Sequence, residues 1–540
     1  MDEADKRCRA FDQLKGSRTN WDTHFQTIHD YFYLEAEDIN RTYFPGTELD
    51  FDYLYDTTSL NVANVLPAGI ANYMTPFSGD WAAMRHRDPR RNESKKVRMW
   101  MHDATAEIFY ILSNSNFYDQ ALPFYKDTSL YGTANMLTED DHDDVIRFYA
   151  LPIKQCYIVD DSAQRVNEYY IESEYTAEQA VDKFGINNVG RKVKESYEKG
   201  ERTDTKHKFI LYIGPRYDRN PMKIDNLSMP IQALWVDYES KKTVLESGYE
   251  LLPAFTHRFH KRPGMAYGFS PAMLALADVR WINAMAKTEL RSAMKIADPA
   301  MALPDNAFIL PLDLNNRALN YYKDGSLDDK KIFPIGNGGN VQVNELMLEK
   351  KIQNLKEHMF YDVFLAFQGI TKQMTVPEVM QRANERMTLL GPAVGRFQSD
   401  VLDNLFHITL NKAFKAGRLP ELPDELIDDP TYEIEYTSVL ALAQKSKDLT
   451  SLQTALAMTG EMAQFNPEVL DKIDFDRAMD SIWGNTGADP SVLNDAKEVD
   501  AVRQMRAQMQ EQQAQMEQLA QGAQTAKTVS EAERNLRGNA

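Results

Sequence analysis

Three stretches of this chain carry residue types that could do chemistry. The first is Gly268-Phe269-Ser270-Pro271-Ala272. It begins like the Gly-x-Ser-x-Gly elbow that presents the nucleophile of a serine hydrolase. The residue after an elbow serine must lend a backbone N–H to the oxyanion hole, and Pro271 has none. Ala272 stands where the closing glycine would be, and nothing in the sequence supplies a paired base. Ser270 reads instead as a helix N-cap, with proline at the first helical position. An aspartate should cap there as well.

The second stretch is Glu139-Asp140-Asp141-His142-Asp143-Asp144. Clustered carboxylates can hold a divalent cation, but this run lacks the glycine and terminal glutamate of a calcium loop. It lies between two apolar strands and reads as a charged hairpin tip. The third is His257, Arg258, His260, Lys261 and Arg262, a basic cluster read as a solvated edge, with a phosphate or partner contact as the alternative. The chain has no Gly-Lys dipeptide and no His-Glu-x-x-His, and Gly336-Asn337-Gly338-Gly339 lacks dinucleotide-loop spacing. No catalytic set, metal site or cofactor is expected.

The elements that must position these residues come from composition and periodicity. At 540 residues, 43% hydrophobic and 11% aromatic, the chain can bury several cores. Cys8 and Cys156 make neither a disulfide framework nor a zinc site. The charged opening MDEADKRCRAFDQLKG is no signal peptide, and no apolar run is long enough for a membrane helix, so no membrane insertion is expected. A net charge of −19 argues against a tight grip on nucleic acid, though not against a surface along which it slides.

Helices are expected over 1–40, with Trp21, Phe25, Ile28 and Phe32 on one face, over 57–75 with a break at Pro67, and over 93–116. From about 119 to 262, β-rich runs alternate with turns: DVIRFYALP, QCYIVD, NEYYIES, HKFILYIGP, IQALWVD and KTVLES, with one helix near 176–185. A long helix follows over 271–298, then a turn-rich stretch 299–344 and a second long helix over about 345–368. The polar loop 368–375 leads to helix over 377–416, broken near Gly391-Pro392. TYEIEYTS at 431–438 reads as a strand, and 444–500 as helix. In the tail, Val502, Met505, Met509, Met516 and Leu519 fall on heptad positions, with Gln512 interrupting them. Such a seam either assembles with copies of itself or frays in solvent. The last residues read as disordered.

The helix 271–298 has a charge pattern of its own. Arg280, Lys287, Arg291 and Lys295 lie along one stripe, Asp278 and Glu289 on the opposite side, and Leu274, Ala277, Trp281 and Met285 in an adjoining apolar strip. Such a helix can pack edge to edge with copies of itself, or be an ordinary amphipathic helix. The two long helices read as an antiparallel pair capped by the insert between them.

Several segments in order resemble the head-to-tail connector, or portal, proteins of short-tailed bacteriophages (podoviruses). They are Arg18-x-x-Trp21 with Ile28 and Tyr31, and LYDTTSLNVANVLPAGIANYMTPFSGDWAAM at 54–84, with Asp56, Thr57, Gly69, Thr75, Pro76 and Trp81. LYGTANMLTEDD at 130–141, the stretch opening at Tyr267 and ERMTLLGPAVGRFQSDVLDNLFHITLNKAFKAGRLPELP at 385–423 complete the set. Leu34 stands where the family often has proline, and Asp400 and Asn404 where it has glutamate or proline.

The resemblance implies an α+β, mainly α chain with the portal fold, assembled as a ring of about twelve copies around a DNA channel. It implies a wing at 1–267 and 377–436, stem helices at 268–300 and 345–367, a clip at 301–344, a tunnel loop at 368–376, a crown at 437–500 and a C-terminal barrel or tail at 501–540. Lys372 is the cation expected to face DNA, flanked by Thr371 and Gln373, with Arg280, Lys287, Arg291 and Lys295 as a second channel stripe. Asp305, Asn306, Asn315, Arg317 and Tyr321 of the clip are expected to meet partners. Those partners are double-stranded DNA read without sequence, the terminase large subunit, a tail adaptor, major capsid and scaffolding proteins, and internal core proteins. The competing class is another self-assembling virion component, such as an internal core or tail-tube protein. A third is an enzyme built on Ser270.

Overall fold

The computed structural model describes residues 3–41, 51–200, 205–223, 225–297, 301–302, 333–334, 341–365, 391–437, 452–462, 472–486, 499–513 and 516. They form two compact units, one from 1–77 with 112–412 and the other from 78–111 with 413–540. Helix and antiparallel strand are mixed throughout, with helix the larger share of the described residues.

In the first unit, α1 (Glu3–Phe32) buries Phe25, Ile28 and Phe32 as expected, with Trp21 packed against them. One buried cation fixes its middle. Arg18 donates to the carbonyls of Ile153 and Cys156 at 2.8 Å and of Lys154 at 2.9 Å, and pairs with Asp22 at 2.8 Å. Its guanidinium lies 3.6 Å from the centre of the Tyr157 ring. A buried charge is tolerable only with such full pairing. The next segment splits into α2 (Thr58–Ala63) and α3 (Val65–Met74). Pro67 has no N–H to return to Ala63, so the helix breaks at Asn64.

α4 (Lys95–Asn114) is followed at once by α5 (Phe117–Leu130), a helix that the β-rich reading from 119 onward misses. Pro123 inside it hides it from a pattern search. The strands then come in order: β2 (Thr133–Asp141), β3 (Val145–Leu151), β4 (Cys156–Asp160) and β5 (Val166–Thr176). The helices α6 (Ala177–Phe184) and α7 (Arg191–Glu198) separate these from β6 (Lys206–Pro215), β7 (Ile231–Asp237), β8 (Lys242–Tyr249) and β9 (Ala254–Arg258). Two antiparallel sheets result, β3-β2-β9 and β4-β5-β6-β7-β8. β9 goes unread in the sequence, and β2 is read only as the apolar arm before the acidic tip, because β9 and most of β2 are buried on both faces, which erases the alternation.

The five-stranded sheet shows why α1 is so long. Ile158, Tyr169, Phe209 and Trp235 on one sheet face join the core that holds Phe25 and Ile28. Tyr157, Tyr170, Ile210 and Leu234, one residue out of phase, close on Ala4, Cys8 and Phe11 from the first turns of the same helix. Period-two alternation therefore gives the sheet two buried faces.

The first unit continues with α8 (Pro271–Ala297), the paired strands β10 (Met301–Ala302) and β11 (Phe333–Pro334), α9 (Val341–His358) and α10 (Tyr361–Leu365). The second long helix is thus no single rod to 368. It stops at His358, and Phe360 takes a left-handed φ of +55° before α10. Helix resumes over 391–415 with one wide turn at Gln398–Leu402 leading into α11 (Asp403–Lys415).

In the second unit, β1 (Ala82–His86) pairs antiparallel with β12 (Tyr432–Tyr436), which follows the short α12 (Asp424–Ile427). Trp81 is fully buried with its ring edge-on to Phe109, centres 5.2 Å apart. The Met84 N–H donates to Thr105 of α4 at 3.1 Å. Farther along, α13 (Phe475–Thr486) is tied to helix 499–513 by a two-pronged Arg503–Asp476 pair at 2.7 and 2.8 Å. Val502, Met505 and Met509 are exposed on that helix; Leu519 lies outside the described residues.

Candidate functional site: the paired helices

The site is built from its hinge outward. Ser270 is fully buried. Its hydroxyl accepts the Met273 N–H at 3.0 Å, capping α8, and donates to the Leu130 carbonyl at 2.6 Å, where α5 ends. Both capacities of the oxygen are in use, so Ser270 is a cap and not a nucleophile. Beside it, Gly268 and Gly132 are in direct backbone contact. A Cβ on Gly268 would lie 2.3 Å from the Gly132 oxygen, and one on Gly132 would lie 2.7 Å from the Ser270 nitrogen. Gly132 also holds a φ of +77°, which favours glycine. The Gly268 N–H donates to Thr133 at 2.8 Å. This packing is the physical content of the Gly-Thr-Ala and Gly-Phe-Ser-Pro stretches.

From that hinge α8 runs outward beside α9. Its buried face is Ala272, Ala275, Leu276, Val279 and Ile282. The expected strip is wrong by about two-fifths of a turn: Leu274 and Ala277 are exposed, and Trp281 and Met285 only half-buried. Alanines form the contact, because small side chains let the helix sit close to the body, and hydropathy alone does not single them out. Asp278 does not await a neighbouring copy. It is buried and bonded to Lys351 of α9 at 2.6 Å, with His358 3.6 Å away. Leu355 and Met359 complete the seam.

The basic stripe is partly engaged. Asn283 clamps the preceding segment, accepting the Tyr55 N–H at 2.7 Å and donating to the Tyr53 carbonyl at 2.9 Å. That places the Tyr55 ring under Lys287, 4.8 Å from the ammonium. Arg280 and Arg291 are exposed. The side chain of Lys295 lies outside the described residues, as do Lys372, Thr371 and Gln373 of the loop and Asp305, Asn306, Asn315, Arg317 and Tyr321 of the insert.

The other two chemical stretches resolve differently. Residues 139–144 form the tip of the β2–β3 hairpin, as expected, with the turn itself at 142–144: Asp141 pairs with Val145 and accepts the Asp143 N–H at 2.9 Å, while Asp140 meets Lys412 at 2.7 Å. The cluster at 257–262 is not the solvated edge expected of it. Arg258 is buried, both Asp160 oxygens accept from it at 2.9 and 2.7 Å, and it donates to the Gln164 carbonyl. His257 is buried 3.7 Å from Asp400, and burial lowers its pKa. His260 and Arg262 remain exposed. The misreading arises because β9 carries its charges inward to carboxylates that sequence distance conceals.

Among the described residues, ligand-type atoms converge at His29, Asp30 and Asp38. The Gln26 amide nitrogen already fills that point, donating to Asp30 at 2.8 Å and to Asp38 at 2.5 Å. Its oxygen is held by the N–H groups of Ile39 and Asn40, so the amide cannot turn away. This is a hydrogen-bonded core cluster. Among the described residues, no helix is long and apolar enough to cross a membrane.

Comparison with known proteins covers nearly the whole chain. The family model for the bacteriophage head to tail connecting protein matches residues 4–493. The probable portal protein of Bordetella phage BPP-1 is 29% identical over 515 residues, covering 92% of this chain and 90% of that one. The portal protein of Salmonella phage epsilon15 is 28% identical over 520 residues, covering 94% and 91%. Two solved structures, the neck of an empty GTA particle computed with C6 symmetry and the virion of a native gene transfer agent particle, match at 12% identity. Their TM-scores are 0.37 and 0.34, over 75% and 74% of this chain and 86% of each of theirs.

Proposed function

The chain belongs to the bacteriophage head-to-tail connecting proteins and is a portal protein at the head–tail connector of a virion, and from this we propose that about twelve copies form a ring at one capsid vertex. Duplex DNA is driven inward through that ring by the terminase motor and later leaves through it toward the tail. The role is structural rather than enzymatic. The observation that carries the reading is the outward pair α8 and α9, locked at Asp278–Lys351 and closed at its far end by β10 against β11. Two rods bridged at one end support a stem at 268–300 and 345–367 with a clip at 301–344. The body from 1–267 with 377–436 then serves as the wing, 368–376 as the tunnel loop and 437–540 as crown and tail.

A channel of this composition suits its cargo. DNA carries one charge per ~1.7 Å of axis, so walls from an acidic chain with sparse cations let it slide rather than stick. Lys372, between Thr371 and Gln373, supplies one cation per copy. The clip is where the terminase large subunit and a tail adaptor dock; capsid, scaffolding and internal core proteins meet the remaining surfaces. Phage particles assembled without this chain test the reading. Empty heads that never acquire tails are expected, and DNA-filled heads would refute it.

A further inference from the structure

Two flanks of the α8–α9 pair carry opposite charge. At about 100° per residue, Arg280, Lys287 and Arg291 lie on the flank of α8 turned away from Asp278 and Trp281, the residues that meet Lys351 of α9. On α9, Glu345, Glu349, Gln353 and Glu357 recur every fourth residue on the flank turned away from Lys351 and His358, which meet α8. Lys350 stands beside that acidic row, and Lys356, on the row itself, points its ammonium at the Tyr361 ring, 5.3 Å from the centre.

The two rows overlap in height around Lys287, Glu345 and Glu349, with Arg291 lying beyond one end of the overlap and Glu357 beyond the other. The helices are antiparallel, with Asp278 level with Lys351 and His358 and Met301 opposite Pro334. Counting along both helices between these fixed points brings Lys287 level with Glu345 and Glu349, and Arg280 level with Gln353. Rotational symmetry keeps every copy at one height, so only rows that match in height can meet.

Apolar surface emerges in the same place. Leu276, Asn283, Leu290 and Met294 share one face of α8. The first two are buried within the chain, whereas Leu290 and Met294 are exposed, beyond the cover given by Tyr55. Leu346 and Met347 on α9 are exposed at neighbouring heights.

We infer that the basic flank of α8 in one copy docks on the acidic flank of α9 in the next copy, with Leu290 and Met294 covered in the same contact. The inference rests on the ring reading and specifies which surfaces make the ring. The contact joins two different surfaces, so it repeats in one rotational sense, and it closes where that rotation divides the circle, as the ring reading requires. Charge complementarity sets register and direction, and the apolar residues supply burial.

Three full-length variants test it by native mass spectrometry and sedimentation at low and high salt. The first carries Arg280→Glu, Lys287→Glu and Arg291→Glu, the second Glu345→Lys, Glu349→Lys and Glu357→Lys, and the third all six changes. Each of the first two should need at least about tenfold higher concentration to assemble, the equivalent of about 1.4 kcal/mol. Mixed together, they should form rings of alternating copies, and the six-fold variant should form rings alone. A misfolded chain cannot be rescued by mixing, so rescue separates interface loss from unfolding. Assembly of the first two variants at the wild-type concentration overturns the inference, as does failure of both the mixture and the six-fold variant. A wild-type chain that never assembles instead refutes the ring reading itself.

Discussion

The Ser270 hydroxyl sits 2.6 Å from the Leu130 carbonyl, so the last residue of α5 is bonded to the first cap of α8 across 140 residues of chain. One oxygen thus sets where the outward helix leaves the body.

Replacing Ser270 with alanine removes the cap and leaves the Leu130 carbonyl without that donor. The loss should be about 2 kcal/mol, combining a cap of about 1 kcal/mol with a hydrogen bond of similar size. Aspartate, which the sequence allows as a cap, should be worse than alanine. It can accept the Met273 N–H, but it sets a buried carboxylate against a carbonyl oxygen and cannot donate. Denaturant melts of the two variants check the order; an aspartate variant as stable as wild type contradicts the buried geometry.

Gly268→Ala should be among the most damaging single-methyl changes in the chain. The added carbon would lie 2.3 Å from a backbone oxygen of Gly132, which has no flexible side chain to yield. Soluble yield and melting temperature should both fall, and the loss of stability should exceed the roughly 1–3 kcal/mol typical of overpacking. A control at Gly16, with open space around it, should change little beyond ordinary helix propensity.

Acid should weaken the first unit through His257. Burial holds this imidazole below its usual 6.5, although Asp400 opposes the shift. The unfolded chain therefore takes up the proton first, and stability present above about pH 6.5 is lost as pH falls below it. Melting temperature should drop between pH 6.5 and 5, and His257→Gln should flatten part of that drop. An identical slope in the variant would remove His257 as a cause.

These sites differ in how far the sequence exposes them. The Ser270 cap, the two outward helices and the strands β3 to β8 and β12 follow from local chemistry, since caps, proline and alternation act within a few residues. The close approach of Gly132 to Gly268, the Asn283 clamp on Tyr53 and Tyr55, and the inward pairing of Arg258 with Asp160 join distant segments. Only a motif spanning both partners could have revealed them. The apolar strip on α8 was misplaced because Ala272 and Ala275 do the packing. The stop at Phe360 has no glycine or proline to announce it.

Particles carrying Lys372→Glu should assemble normally yet package a different length of DNA, or leak it, relative to Lys372→Ala particles. Deleting 305–340 should leave rings that bind neither motor nor tail adaptor. Unchanged packaging in both point variants would take Lys372 out of the DNA path, and normal packaging by the deletion would move the docking surface elsewhere.

Direct imaging of the purified full-length chain by electron microscopy tests the central claim most plainly. The account predicts closed rings of about twelve copies with an open central hole, wide enough for a DNA duplex of about 20 Å. Monomers, open filaments or rods without a hole would contradict it.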